Sequence, residues 1–378
     1  MLPIEHQIYV AGARGKPGEL LGLQSLAPDV ADRILPHIVF PPPREKDLEK
    51  RRLLTDDELV YENAARVGRH WPHRPVLLDT RFLGSRLGEA ESCVWLPTLF
   101  REVRASNGRA IPVVTLQDLE GSRLAGMRGV ILEGESGAAL RLTLSDLDHE
   151  GAKTRIQRAV MAAVLKPSEC ILLLDLTNDT LEDVDAVVDV ATARFWQLVE
   201  IGAWRRIVLQ ATSYPEHNPA APGKTKILDR KEWDVWERLT NEDALIKRTL
   251  MFGDFGADCA KFSFKPSNAR PIPHHRYATT RQWIVVRGKE EGSLARVMQE
   301  VAERVVSQAL FDGPDFSAAD RYLFDASEGH NVSGSATAWR KVNTNRHLTK
   351  TVAALGDVFG FGVSSLRQRA RAEQLKLV

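Results

Sequence analysis

Short apolar runs recur along this chain, separated by longer segments in which apolar positions repeat every three or four residues. The runs fall at 7–11, 34–40, 75–79, 111–116, 170–176, 206–211 and 250–252. One more lies between the fourth and fifth of these, where 130–132 and 140–144 compete, with Gly134 and Gly137 between them. Several runs, such as Cys170-Ile171-Leu172-Leu173-Leu174, are apolar throughout, the pattern of parallel strands covered on both faces. Helical signals start at Pro17 and cover 56–67, 89–104, 153–165, 181–202 and 230–247. In 153–165, Ile156, Val160, Ala163 and Val164 share a face with Arg155 and Arg158 off it; in 181–202, Val184, Val187, Val188, Ala191 and Phe195 do the same.

Alternating strand and helix predicts right-handed βαβ units and a parallel sheet. Eight repeats ending near residue 255 fit an α/β fold of the (β/α)8 TIM-like barrel type, which takes roughly 250 residues. The alternative is an open doubly wound parallel sheet. After Asp254 the pattern changes. Residues 257–281 are rich in Pro, Ser, Asn and His, 283–286 give one more strand signal, and 294–310 read as a helix. A polar loop over 325–335 and a basic helical tail over 343–378 close the chain. The expected division is a barrel over 1–290 and a helical extension over 291–378. The extension is expected to pack on the barrel, because it is too short for a good core of its own.

Composition narrows the function classes. Hydrophobic residues make up 43% and charged residues 27%, an ordinary globular balance. The net charge of +1 supplies no global field for nucleic acid or membrane. Tight binding of duplex DNA by the isolated chain is therefore not expected. Cys93, Cys170 and Cys259 are far apart, which argues against a zinc ribbon or a disulfide framework. Residues 1–9 lack a cationic stretch followed by an apolar core, and no run has the length of a membrane span. A soluble, cytoplasmic chain is the expectation.

A barrel puts its working residues at the C-terminal ends of its strands. The first strand leads into Gly12-Ala13-Arg14-Gly15-Lys16-Pro17-Gly18-Glu19, where glycines permit close backbone approach and Arg14 and Lys16 add positive charge. That favours a phosphate or carboxylate, against the plainer reading of a solvated turn. It lacks the Gly-Lys-Ser/Thr spacing of a Walker loop. Other strand ends carry Asp79-Thr80-Arg81, Gln117-Asp118, Asp175 to Asp179, Gln210 to Ser213 and Gly253-Asp254-Phe255-Gly256. Asp118 and Asp179 read as helix caps. Asp79, Asp175 and Asp254 follow more apolar strands and are the candidate catalytic carboxylates. His274-His275 beside Arg276-Tyr277 is a poor metal pair, since adjacent strand residues face opposite ways.

Taken together, these motifs resemble the beta protein family, named after a bacteriophage T4 protein and common in bacteria. The resemblance spans nearly the whole chain. It rests on Lys16-Pro17-Gly18-Glu19, on Phe252-Gly253-Asp254-Phe255-Gly256 where the family has Gly-Asp-Tyr-Gly, and on Arg276-Tyr277 followed by Trp283-Ile284-Val285-Val286-Arg287-Gly288. It also rests on Trp339-Arg340 and Asn345-Arg346-His347-Leu348-Thr349. The chain departs from the family at Phe40-Pro41-Pro42, where a glutamate is expected, so a mechanism needing that carboxylate does not carry over. The resemblance implies no settled reaction. It implies an association with mobile elements and antiphage-defence gene clusters, sometimes beside a nuclease-like partner protein.

Two readings follow. In the first, the protein is a component of such a system, and its barrel binds a phosphate-bearing ligand, a nucleic-acid end or a partner protein. The pocket would draw on Arg14, Lys16, Glu19, Arg81 and Arg276, with Trp339, Arg340 and His347 folded back to complete it. In the second, the protein is a metal-assisted phosphodiesterase, with Asp79, Asp175 and Asp254 holding a divalent metal such as Mg²⁺ while Arg14, Lys16 and Arg276 bind phosphate.

Overall fold

The computed structural model describes residues 6–42, 46–47, 52–256, 258–261, 272–330 and 334–376. Among the described residues, eleven strands carry the architecture: β1 (Tyr9–Arg14), β2 (Ile34–Val39), β3 (Pro75–Asp79), β4 (Arg109–Val114), β5 (Ala138–Thr143), β6 (Cys170–Asp175), β7 (Arg206–Gln210), β8 (Thr225–Asp229), β9 (Leu250–Asp254), β10 (His274–Ala278) and β11 (Gln282–Arg287). A two-residue pair, Lys46–Asp47 with Arg52–Leu53, sits apart from them.

Eight strands close into a parallel barrel in the order β1-β9-β7-β6-β5-β4-β3-β2, as the alternation predicts. The register aligns the strand ends: Val39 lies opposite Asp79, Thr143 opposite Asp175, Asp175 opposite Gln210, and Ala11 opposite Asp254. The ambiguous fifth strand is the later run. The earlier one belongs to the helix Leu124–Gly134, where Met127, Val130 and Ile131 are buried at helical spacing.

The chain divides into two compact units. The first comprises 1–16, 35–212 and 234–255 and contains the barrel; the second comprises 17–34, 213–233 and 256–378. This division differs from the expected boundary at 290. Residues 256–290 go with the C-terminal segment, because β10 and β11 supply the sheet on which its helices build a core.

In the first unit, Val10, Leu35, Leu77, Ile111, Val113, Ala139, Ile171, Leu173, Val208 and Met251 form one apolar cluster drawn from all eight barrel strands. Only the lumen brings eight strands together, so these residues face inward. The residues beside them along each strand face the surrounding helices.

In the second unit, β8, β11 and β10 form an antiparallel sheet in that order. One face, with Tyr277, Ile284 and Val286, packs on Val301, Val305, Leu323 and Val342 of three helices, Leu294–Val306, Ala318–Ser327 and Ala336–Phe359. The other face places Ala278, Trp283 and Val285 against Tyr214 and Ala220. The expected polar loop over 325–335 begins inside the helix Ala318–Ser327. The expected basic tail divides into the buried helix Ala336–Phe359 and the helix Leu366–Lys376. Strand β8 gave no sequence signal. It is a sheet edge with mostly exposed side chains, so burial imposes no alternation on it.

Candidate functional site

Each inward-facing apolar residue of the barrel has a same-face neighbour two positions further on. Taking that step from Leu35, Leu77, Ala139, Leu173 and Val208 gives His37, Asp79, Arg141, Asp175 and Gln210. The lumen therefore changes from apolar to polar at the C-terminal end of the strands. His37 Nδ1 lies 2.9 Å from Gln210 Oε1 and His37 Nε2 lies 3.3 Å from Asp79 Oδ2. Strand β2 is not a neighbour of β7, so the imidazole spans the lumen. An ionised carboxylate only accepts hydrogen bonds, so Nε2 carries a proton.

Asp79 also accepts from Arg81, at 2.8 Å from Nε and 3.0 Å from the backbone N–H. Burial opposes its ionisation, but the Arg81 guanidinium and the His37 hydrogen bond outweigh burial and hold the carboxyl well below its ordinary range. Asp175 accepts from Arg141 Nη1 at 2.8 Å and from the Thr177 hydroxyl at 2.6 Å. Burial is outweighed there too, and its carboxyl is lowered. Beside this layer, Asp118 accepts from Thr115 as the acidic member of a capping box and pairs with Arg123 at 2.9 Å. Asp118 is thus a cap residue. Asp179 is not; the helix Val184–Ile201 is capped by Asp183.

Asp254 belongs to a different environment. It sits two residues after Phe252, on the outward face of β9, and the Tyr9 hydroxyl donates to its Oδ1. Tyr9 stacks on Phe252, whose ring also meets the edge of Trp236. Asp79, Asp175 and Asp254 therefore do not form one donor set. Among the described residues, no group of three or more His, Cys, Asp or Glu is arranged to hold a metal. The residues present do not fit the expected divalent ion.

The expected glycine-rich anion turn also resolves differently. Gly12 and Arg14 lie within β1. A Cβ on Gly12 would come within 2.6 Å of the Phe255 ring and 2.9 Å of the Asp254 carbonyl. Lys16 follows β1 at the barrel end where Asp254 terminates β9. Gly18 lies in the helix Pro17–Gln24, where a Cβ would come within 2.7 Å of Arg340 Cβ. It permits close helix packing and does not cradle a ligand.

Glu19, Arg276 and Arg340 belong to the second unit. Arg276 pairs with Asp258 Oδ1 at 2.7 Å, and Arg340 pairs with the other oxygen of the same carboxylate. The Arg276 guanidinium also lies over the Tyr214 ring, 4.6 Å from its centroid. Burial and the like charge of Arg276 push Arg340 down to about 10, although Glu19 opposes the shift. Two guanidinium groups thus converge on one buried carboxylate. His347 stands apart from this cluster and stacks on Trp283 at 4.6 Å.

The adjacent histidines do point opposite ways. His274 Nδ1 reaches the Ile272 carbonyl at 3.1 Å, while His275 Nδ1 donates to Asn343 Oδ1 at 2.8 Å. That oxygen also accepts from the Arg276 backbone N–H, which fixes the Asn343 orientation and leaves the His275 Nε2 lone pair buried without a partner. Burial lowers His275 to about 4 and, with Arg276, lowers His274 to about 3. The unfolded chain therefore takes up these protons first, and stability falls as pH drops from about 6.5 towards 4, by about 1.4 kcal/mol per pH unit for each histidine. A melting-temperature series from pH 7.5 to 4.5 should show this decline, and a His275→Gln variant should reduce its slope by about half, since His274 still contributes.

Sequence reasoning missed His37, Arg141 and Asp258 as site residues. The first two carried a signal: each is a polar residue on the inward parity of an otherwise apolar strand. Asp258 carried none, since no periodic apolar pattern surrounds it in the sequence.

A family model described as Beta protein matches residues 9–353. Among solved structures, the catalytic domain of a hyperthermophilic chitinase from Pyrococcus furiosus matches with 10% identity and a TM-score of 0.38, covering 67% of this chain and 84% of that one. A search of curated proteins finds no match.

Proposed function

We propose, since this chain belongs to the Beta protein family, that it is the recognition component of an antiphage-defence or mobile-element system and binds a phosphate-bearing ligand. The observation that carries this reading is the convergence of Arg276 and Arg340 on the single carboxylate of Asp258. Guanidinium groups present planar paired donors that match phosphate geometry. Burial and the like charge of Arg276 lower Arg340, and a phosphate held between the two guanidinium groups would offset their mutual repulsion. The reading as a phosphodiesterase is the weaker one, because its three aspartates do not assemble a metal-binding donor set.

Calorimetric titration of the full chain with inorganic phosphate, a nucleoside monophosphate and a 5′-phosphorylated oligonucleotide tests the proposal. Arg340→Ala should weaken the phosphate-dependent binding about 10- to 100-fold, the loss expected for one charge-assisted hydrogen-bonding group. Arg340→Lys should restore only part of it. Unchanged affinity in an Arg340→Ala chain that melts like wild type would remove the assignment. Micromolar binding would also anchor the search for a nuclease-like partner, which should associate in a ligand-dependent way.

A further inference from the structure

Regular elements hold both arginines of the second unit's cluster. Arg276 lies on β10, with its guanidinium over the Tyr214 ring. Arg340 lies in the helix Ala336–Phe359, where Gly18 lets the helix Pro17–Gln24 press on its Cβ. Asp258, whose carboxylate lies between them, belongs to no strand or helix. Its Oδ1 accepts from Arg276 Nη1 at 2.7 Å and its Oδ2 from Arg340 Nη1, so each oxygen takes one guanidinium. That is how two arginines hold any bridging anion. Oδ1 also accepts from the Cys259 backbone N–H at 2.9 Å. The Arg340 side chain is 25% exposed, against 8% for Arg276, so a ligand reaches the pair from the Arg340 side.

We propose, resting on the phosphate reading of this site, that Asp258 is its internal competitor: the carboxylate occupies the place of the ligand's anionic group, and a dianionic phosphomonoester displaces it where a phosphodiester does not. A phosphodiester carries one charge, so it trades like for like against a tethered carboxylate at an effective concentration of about 1 mM or more. A phosphomonoester has about twice the Coulomb attraction to the same two cations. Glu19 attracts Arg340 and repels either ligand. Two guanidinium groups against that one carboxylate still leave an attraction that grows with ligand charge. Burial, then the positive charge of Arg276 and Arg340, lower His274, so the field of the pair reaches beyond Asp258. The ligand class is therefore a terminal phosphate, that of a nucleotide or of a nucleic-acid end, and not an internal backbone phosphate.

Calorimetric titration of the full chain at pH 8, where a phosphomonoester carries close to two charges, compares methyl phosphate with dimethyl phosphate. The two differ by one methyl group and one charge. Wild type should bind methyl phosphate at least about tenfold more tightly. Asp258→Asn keeps a carbonyl oxygen for the Cys259 N–H and removes the competing charge; it should bind each ligand about tenfold more tightly than wild type does. Asp258→Ser should shift affinity in the same direction. Equal wild-type affinity for the two ligands would overturn the proposal, and that comparison needs no variant to fold. Unchanged or weaker methyl phosphate binding in Asp258→Asn would also overturn it, because Asp258 would then be positioning the arginines. Arg340→Ala separates the two readings. If it leaves methyl phosphate binding unchanged, or no chain binds, the phosphate site itself is lost. If it weakens binding while Asp258→Asn does not strengthen it, only the competitor is lost. Adenosine 5′-monophosphate and a 5′-phosphorylated tetranucleotide, titrated alongside, distinguish the two sources of the terminal phosphate by which binds more tightly than methyl phosphate.

Discussion

Arg346→Ala should destabilise the second unit by about 3–5 kcal/mol, the cost of breaking a buried ion pair from one side. Arg346 is 1% exposed and lies in the helix Ala336–Phe359. Its guanidinium donates to the Ala278 carbonyl at 3.1 Å, to both oxygens of Asp320 at 3.2 Å, and to Asp312 at 2.5 Å. It also stacks over Tyr277, 3.9 Å from the ring centroid. Asp320 is fully buried, and after truncation it would keep only Ser317 and Tyr277 as polar partners. Urea unfolding monitored by hydrogen exchange in residues 336–359 measures the loss. Arg346→Met/Asp320→Asn should recover part of it, because the stranded charge is gone. A loss below about 1 kcal/mol for Arg346→Ala would mean that the network does not hold this helix.

Asp79→Ala should cost the barrel a similar amount, about 3–5 kcal/mol at neutral pH. The substitution removes the carboxylate partner of His37, which is 1% exposed and keeps its contact with Gln210 across the lumen. It also removes the anion paired with Arg81 at 2.5 Å. The effect has a defined pH dependence. Asp79 is held well below its ordinary value, so its contribution is present above about pH 4 and is lost as pH falls through the lowered folded value. Wild type and variant should therefore converge in stability as the solution is acidified below about pH 4. Urea titrations at pH 7, 4.5 and 3 follow that convergence. A constant difference across the series would show that Asp79 acts through packing and not through its charge.

Both residues show how far the sequence could be read. Asp79 was legible because it ends an apolar strand, and the barrel fold gives that position meaning. Its partner His37 lies in Ile34-Leu35-Pro36-His37-Ile38-Val39, where one polar residue in an apolar run marks a lumen position only once inward parity is known. Asn345-Arg346-His347 read as part of a basic tail that could fold back over a pocket. Instead Asn345 bonds Ser25 and Ala319, Arg346 ties two aspartates, and His347 stacks on Trp283. This helix buries Asn343, Asn345, Arg346 and His347 beside apolar residues such as Val342, Leu348 and Val352, so its buried positions do not separate into one apolar stripe that periodicity can find.

The sequence by itself determined the barrel, because burying parallel strands on both faces demands continuous apolar runs, and eight such runs alternating with amphipathic helices leave few other closures. It also determined the family, through short motifs kept in order along the chain. The tertiary structure alone decided which charges meet. Strand parity sent Asp79 and Asp175 into the lumen and Asp254 to the outer face, a difference of one residue in phase that composition does not record. The Asp258 bridge between Arg276 and Arg340 joins residues that are far apart in sequence, and ion pairing leaves no periodic trace in the chain that could announce it.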